Sequence, residues 1–251
     1  MFSALDNNNH IIDIDTAVQH IADKYFSPSC CEELIIKNGN VRIQHFAHKS
    51  KCSCDDYDND MSDWHRNWQK KFPLKNREVV LKLDADNDNS LFAENCKKTI
   101  RRTDALCYGY AIEFQNSPIS SEEFYERTLF YKHLGKKVIW IFNMIEEYKS
   151  GKIKCYEEWD NNKDNGGKFK WDYASKTFIY YDSSDKDVTL FFQLNEVRND
   201  EEDGEQSYLE RITWAIDSKA DYKKTDFKYF STSYYPGNFI ELMERLKSKA
   251  L

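Results

Sequence analysis

The pattern of hydrophobic and polar positions predicts two amphipathic helices. In residues 62–72 an aromatic side chain recurs at every fourth position, and Ser62 can cap the helix that this spacing predicts. In residues 120–134 the apolar positions again share one helical face, and Ser120 with Glu123 forms a capping box. A proline follows the first segment and a glycine the second, and both residues are typical of helix ends.

Strands are predicted between and after these helices. Alternating or continuous apolar runs occupy residues 78–83, 99–108, 111–115 and 138–142. The last run is apolar throughout, which is typical of a strand buried on both faces. The middle of the chain therefore has the predicted order helix, strand, strand, strand, helix, strand.

The two ends of the chain differ from this middle. The segments Leu34-Ile35-Ile36 and Val41-Arg42-Ile43 flank Asn38 and Gly39, a type I′ turn signal, so residues 33–46 are predicted to form a hairpin. After residue 152 the pattern predicts short aromatic strands and a last helix, at 168–173, 177–181, 188–194 and 238–249. We predict an α/β fold in three parts: an N-terminal hairpin module at 1–60, a core at 61–150 and a β-rich extension at 151–251.

Composition limits the class of protein. The 31% charged and 15% aromatic residues argue against disorder, because aromatic side chains supply the burial that offsets chain entropy. There is no apolar run of membrane-spanning length, and the N-terminus lacks the layout of a signal peptide, so we expect a cytoplasmic protein with no membrane partner. The seven cysteines are then expected to be thiols or metal ligands rather than disulfides.

The net charge of -7 is unevenly distributed along the chain. The formal net charge is -6 for residues 1–63, +4 for residues 64–152 and -5 for residues 153–251. A basic middle segment keeps a nucleic-acid partner open, and the acidic ends predict weak or partner-dependent binding. The basic clusters are also compatible with ordinary solvated faces.

Asp104 and Glu113 are the candidate chemistry of the core. They lie on consecutive predicted strands, and Glu113 shares a strand face with Gln115. Two carboxylates brought together favour a hard cation such as Mg²⁺ (or Mn²⁺), which can generate hydroxide and stabilise charge on a phosphodiester. Arg101 and Arg102 could hold the flanking phosphates. The same spacing also fits ordinary solvent-facing strand residues.

Six sequence blocks occur in an order that resembles a known family. They are HFAHKS at 45–50, SDWHRNW at 62–68, TDAL at 103–106, AIEFQNSPIS at 111–120, ERTLFY at 126–131 and VIWIF at 138–142. Together they resemble the competence protein CoiA-like family, whose core is similar to that of the restriction-endonuclease-like (PD-(D/E)xK) nucleases. The resemblance implies a restriction-endonuclease-like core, with helix, mixed sheet, helix and strand in that order.

The resemblance also implies roles for residues of this sequence. Asp104 and Glu113 would be metal ligands, and Gln115 stands where most of the superfamily has lysine. A glutamine can hydrogen-bond an attacking water but brings no positive charge. On the first helix, His65 is implied as a phosphate-binding or proton-transfer residue.

Further candidates lie close to these residues. Asp63 is a catalytic candidate, although the helix dipole alone also favours a carboxylate in the first turn. Candidates for nucleic-acid binding are Gln69, Lys97, Lys98, Arg101 and Arg102. Aromatic strands of the extension could stack unpaired bases or pack on the core.

The N-terminal cysteines suggest a structural zinc site by resemblance to related proteins, which tend to show a Cys-x-x-Cys before the hairpin. This chain has Ser27 at the first position of that motif. The ligand candidates are Cys30, Cys31, Cys52 and Cys54, with His45 or His48. The alternative is that these cysteines are buried or idle thiols.

These observations support two hypotheses. The first is a Mg²⁺-dependent deoxyribonuclease acting in DNA uptake, recombination or phage defence, with activity that depends on a protein partner in a larger complex. The second is a non-catalytic nucleic-acid-binding or partner-docking subunit with a nuclease fold. RNA as the substrate stays open, because residues that hold phosphate do not distinguish the two backbones.

Overall fold

The computed structural model forms two compact units, Met1–Cys107 and Tyr108–Leu251, called here the N-terminal unit and the C-terminal unit. The structure describes residues 1–21, 23–39, 43–50, 52, 62–83, 99–159, 166–172, 185–194, 198–200, 204–206, 209–215, 227–235 and 247. The predicted domain limits at 60 and 150 stay predictions.

The described part of the N-terminal unit contains a small antiparallel sheet, two helices and a strand pair. Its elements are β1 (Ser3–Leu5), β2 (Ile11–Asp13), α1 (Ile14–Ala17), β3 (Tyr25–Phe26), β4 (Glu33–Lys37), β5 (His45–His48), α2 (Asp63–Lys70), β6 (Arg77–Lys82) and β7 (Ile100–Cys107), with short 3-10 turns at Val18–His20 and Leu74–Asn76. The small sheet has the order β2-β1-β3-β4-β5. Its core includes Phe2, Ile14, Tyr25 and Phe46, with the rings of Tyr25 and Phe46 5.3 Å apart.

The predicted N-terminal hairpin is present, but its predicted tight turn is wrong. Strands β4 and β5 pair antiparallel, with Lys37 opposite His45 and Leu34 opposite His48. A two-residue turn at Asn38 and Gly39 would instead have paired Lys37 with residue 40. The register puts Phe46, which is fully buried, opposite Ile36, so packing of the core overrides the local turn signal. Residues 40–42 lie outside the described residues.

The C-terminal unit is built on a mixed sheet. Its elements are β8 (Tyr110–Gln115), α3 (Ser121–His133), β9 (Lys137–Asn143), α4 (Ile145–Lys149), β10 (Ile153–Trp159), β11 (Gly166–Asp172), β12 (Val188–Gln193), β13 (Arg198–Asp200), β14 (Gly204–Gln206), β15 (Leu209–Ala215) and β16 (Phe227–Tyr235). The sheet order within this unit is β10-β11-β16-β15-β12-β9-β8. β9 is parallel to both of its neighbours, β8 and β12, and the remaining pairs are antiparallel.

The core of the C-terminal unit lies around β9. Residues 138–142 are at most 2% exposed, as predicted for a strand covered on both faces. Helix α3 packs on this strand, with the rings of Phe124 and Trp140 4.9 Å apart. Ser120 Oγ accepts a hydrogen bond from the Glu123 backbone N–H at 3.1 Å, so the predicted cap is confirmed.

The predicted fold class is confirmed. The order helix, three strands, helix, strand is observed as α2, β6, β7, β8, α3 and β9, with N-terminal hairpin strands before it and a β-rich extension after it. The predicted strand at 177–181 lies outside the described residues, as does the last helix except for Lys247, which is helical. Within the described part of the chain, no helix combines the length and apolarity needed to cross a membrane.

Candidate functional site

Helix α2 places His65 against Asp104 of β7. Ser62 Oγ accepts a hydrogen bond from the His65 backbone N–H at 3.3 Å, which caps the helix. His65 Nε2 lies 2.9 Å from Asp104 Oδ1, and the two side chains are 13% and 16% exposed. Because the carboxylate oxygen of Asp104 accepts this hydrogen bond, His65 Nε2 is the nitrogen that carries the proton. The carboxylate thereby holds the imidazole in one orientation. Such a pair can move a proton or present a positive charge to an anion.

Gln69 joins this pair from one turn further along α2. Its Nε2 lies 3.3 Å from His65 Nε2 and 3.5 Å from Asp104 Oδ1. The residue is 1% exposed, and its Oε1 is buried with no hydrogen-bond partner among the described residues. The amide therefore faces the His65–Asp104 pair, and the predicted contact of Gln69 with nucleic acid stays a prediction.

The two arginines of β7 are also buried. Arg101 is 1% exposed and Arg102 9% exposed. Arg102 Nε lies 3.9 Å from Glu78 Oε1, so its charge faces a buried carboxylate. Both arginines are buried in this structure, and their predicted contacts with phosphate stay predictions.

Three polar candidates of the N-terminal unit stay predictions. Asp63 is exposed in the first turn of α2, where the helix dipole favours a carboxylate, and its catalytic role stays a prediction. Lys97 and Lys98 lie outside the described residues.

Glu113 lies in the C-terminal unit and is held by helix α3. Arg127 donates to Glu113 Oε2 at 2.9 Å, and the Tyr131 hydroxyl donates to Oε1 at 2.5 Å. Glu113 is 1% exposed, and so is Ile112 on the opposite face of β8. The strand is therefore buried on both faces, whereas the sequence indicated an apolar back and a polar front.

Gln115 comes at the end of the same strand and is half-buried. Its side-chain Nε2 donates to the Ser117 carbonyl at 2.6 Å. This bond fixes the amide on the loop after β8 and orients its carbonyl oxygen, which is an acceptor for water.

A cysteine and histidine cluster lies at the start of the N-terminal hairpin. Cys30 Sγ is 3.3 Å from His48 Nε2 and 3.4 Å from Cys52 Sγ, and the three ligand atoms lie within 4.8 Å of one another. Tetrahedral zinc with sulfur at about 2.3 Å and nitrogen at about 2.0–2.1 Å places ligand atoms about 3.5–3.8 Å apart. The three donors therefore fit zinc in type and in spacing. Cys31 is exposed and outside this group, and Cys54 lies outside the described residues.

The surroundings of Cys30 favour the thiolate. Burial acts to raise the pKa of this thiol, but hydrogen bonds from Ser27, the Glu32 backbone, Cys52 and His48 outweigh it and lower the pKa to about 6. A thiolate is the form that binds metals. His45, the alternative histidine, has its Nδ1 2.8 Å from the Ile43 carbonyl and is outside the cluster.

Sequence reasoning missed Arg127 and Tyr131. A signal was present, because both residues fall on the face of α3 that carries Phe124 and Thr128. An arginine within an otherwise buried helix face needs a counter-charge, since a buried charge is costly unless it is paired. Glu113 supplies that charge from β8, the strand beside the one on which α3 packs.

Two protein-family models match the sequence. The one described as "Competence protein CoiA, N-terminal domain" matches residues 13–56, and the one described as "Competence protein CoiA, nuclease-like domain" matches residues 94–218. Together they take in more than half of the chain.

The chain belongs to the CoiA family.

The CoiA matches cover most of the clusters described above. The nuclease-like match includes Asp104, Glu113 and Gln115, and the N-terminal match includes the Cys30–His48–Cys52 cluster. His65 and Gln69 lie between the two CoiA matches, and only the structure connects them to Asp104. No curated protein matches this CoiA-family chain. No solved structure matches it.

Proposed function

We propose that this CoiA-family protein is a metal-dependent nuclease that hydrolyses DNA phosphodiester bonds in DNA uptake, recombination or phage defence. The observation that carries the proposal is the CoiA nuclease-like match over residues 94–218, which includes both candidate carboxylates. The His65–Asp104 pair adds support, because it couples a carboxylate of the matched segment to a group that can carry a proton.

The carboxylates fit a hard divalent cation. An ionised carboxylate has about four lone-pair sites, so one of its oxygens can bind a metal ion while it also accepts a hydrogen bond. Asp104 is partly exposed, with His65 on Oδ1. As the family resemblance implies, Asp104 and Glu113 are the residues proposed to hold Mg²⁺ or Mn²⁺. When bound, the ion supplies charge for the developing phosphate negative charge and lowers the pKa of a bound water.

The remaining residues act on water and phosphate. Gln115 accepts from the attacking water through its amide carbonyl, which the bond to Ser117 holds in place. His65, whose Nε2 lies against Asp104, would bind the phosphate or transfer a proton. Gln115 brings no positive charge, unlike the lysine common in the superfamily, so we expect slow turnover unless a protein partner supplies that charge.

Cleavage of plasmid and single-stranded DNA with Mg²⁺ or Mn²⁺ tests this proposal. Asp104→Ala and Glu113→Gln should each lower the rate more than about 100-fold, since even groups that only support a metal ligand contribute about 10- to 100-fold. Glu122→Gln, an exposed carboxylate change on α3, is the control and should cleave like the wild type. Cleavage that survives both site substitutions would exclude this site.

A non-catalytic role is the second candidate, and the enclosed position of Glu113 favours it. A Glu113 that never leaves its pair with Arg127 would serve the fold alone. DNA binding without cleavage under every metal condition is the result that would select this role. Cleavage of RNA in place of DNA would change the substrate but keep the site.

We also propose that Cys30, His48 and Cys52 hold a structural zinc ion, with Cys54 as the fourth ligand. The support is the spacing of the three donors and the lowered pKa of Cys30. Purified protein should contain about one zinc per chain by mass spectrometry of the metal, and Cys52→Ser should lower that content and the melting temperature. Cys107→Ser, a buried cysteine outside the cluster, is the control and should keep the zinc. Zinc-free wild-type protein with an unchanged melting temperature would rule the site out.

A further inference from the structure

Two side chains of helix α3 hold the Glu113 carboxylate from both of its oxygens. Arg127 takes Oε2 and Tyr131 takes Oε1. The three residues are between 0% and 7% exposed, so water competes little for these bonds. Donors at both oxygens fix the plane of the carboxylate as well as its position.

Arg127 is itself fixed by three neighbours. Its Nε donates to Glu123 Oε1 at 2.8 Å while its other arm reaches Glu113. Its guanidinium carbon lies 6.0 Å from the centre of the Trp140 ring, and Trp140 is fully buried. The planar guanidinium therefore bridges two carboxylates beside an aromatic ring, a geometry that lysine cannot reproduce.

We propose that Arg127 and Tyr131 are positioning residues for Glu113. Arg127 is also a permanent counter-cation of Glu113, so a divalent ion that binds Glu113 does so beside a positive charge. The inference rests on the proposed role of Glu113 as a metal ligand. Arg127 balances the buried charge before any ion arrives, so the carboxylate keeps its orientation. It also repels an incoming cation, so the site binds metal weakly but needs little rearrangement.

Calorimetric titration of the full-length protein with Mn²⁺ tests whether Arg127 acts as a counter-cation. Arg127→Met removes the charge, and the variant should bind Mn²⁺ on the order of tenfold more tightly than the wild type. Arg127→Lys keeps the charge and should bind within about threefold of the wild type. Glu122→Gln on the exposed side of α3 is the matched control and should also bind within about threefold.

DNA cleavage at saturating Mn²⁺ tests the positioning. Tyr131→Phe removes one donor and no charge, so we expect unchanged Mn²⁺ affinity with a cleavage rate lower by roughly tenfold. The lysine of Arg127→Lys cannot bridge Glu113 and Glu123, so this variant should also combine a nearly unchanged Mn²⁺ affinity with a lower cleavage rate. These two variants keep the proposal testable if Arg127→Met does not fold.

The outcomes separate this inference from the proposed function. A folded Arg127→Met protein that binds Mn²⁺ no more tightly than the wild type overturns the counter-cation. Unchanged cleavage by both Tyr131→Phe and Arg127→Lys overturns the positioning role. Glu113→Gln distinguishes the two levels: weakened Mn²⁺ binding keeps Glu113 as a ligand, whereas undiminished binding removes the proposed metal site together with this inference.

Discussion

Each unit contains a buried carboxylate, and the two are compensated differently. Glu78 in the N-terminal unit is 4% exposed and accepts hydrogen bonds from the backbone N–H groups of Phe2 and Ser3 at 2.8 and 2.6 Å. Glu113 in the C-terminal unit is 1% exposed and accepts from the side chains of Arg127 and Tyr131. Glu78 also accepts from the Ser3 hydroxyl at 2.6 Å and faces Arg102, but two of its donors are backbone groups that are fixed by their strand. The donors named at Glu113 are side chains, which can be exchanged. Burial of a carboxylate therefore does not by itself indicate a reactive site; the type of donor helps to separate an anchor from a candidate ligand.

Glu78 has the properties of an anchor. Burial acts to raise its pKa, but Arg102, the α-amino group of Met1 and the bonds from Ser3 and Phe2 together lower the pKa below its ordinary value. Its φ of 48° lies in the left-handed region, which costs a residue other than glycine about 1–3 kcal/mol. Its bonds from Phe2 and Ser3 tie β1 to β6 and favour that backbone conformation.

The largest expected effect comes from breaking the Glu113 pair. Arg127→Met leaves a buried carboxylate without its cation and should lower the free energy of unfolding by about 3–5 kcal/mol. Urea denaturation measures this loss. The double variant Glu113→Gln/Arg127→Met should recover part of it, because no unpaired charge remains. Equal losses in the single and double variants would show that the ion pair is not the cause.

An intermediate effect is expected at Glu78, and it depends on pH. Glu78→Gln should cost about 1.5–3 kcal/mol near neutral pH, the range for hydrogen bonds to a charged group. Because the folded-state pKa is lowered, the stability that Glu78 contributes is present above its unfolded pKa and is lost as the pH falls through the folded value. The gap between wild type and variant should therefore shrink in urea titrations repeated at decreasing pH. A gap that stays constant with pH would contradict an ionised Glu78.

The smallest effect is expected at the outer arm of Arg127. Glu123 is 30% exposed and four residues before Arg127 on α3, so Glu123→Gln should cost only about 0.3–0.5 kcal/mol. The same urea experiment measures this cost. Repeating it at higher salt is a check, because salt screens a partly exposed ion pair and should reduce the cost. A loss as large as that of Arg127→Met would mean that Glu123, rather than Glu113, is the main counter-charge.

Local signals in the sequence were sufficient for helices α2 and α3 and for the central strand, whereas the short helices α1 and α4 were not predicted. Ser62 and Ser120 cap α2 and α3 as predicted, and the unbroken apolar run of residues 138–142 is the doubly covered strand β9. These features depend on neighbours within a few residues, so the sequence contains what determines them.

Features set by distant partners were harder to predict. The turn signal at Asn38 and Gly39 failed because the register of β4 and β5 is set by core packing around Phe46. The pairing of His65 with Asp104 spans 39 residues, and only the family resemblance singled out His65. The cover over Glu113 depends on which face of α3 meets the sheet, and the pattern of single residues does not specify this.

The parallel pairing of β9 with β12 has a consequence for folding. The chain can form β8, α3 and β9 as one local unit, but Val188 reaches its place beside Val138 only after a long intervening segment. Pairing over such a distance has an entropic cost, because a long loop must close before any stabilising contact forms. This cost slows folding. Until β12 arrives, β9 presents an apolar edge that can pair with another chain. We therefore expect aggregation during synthesis or refolding to begin at this edge.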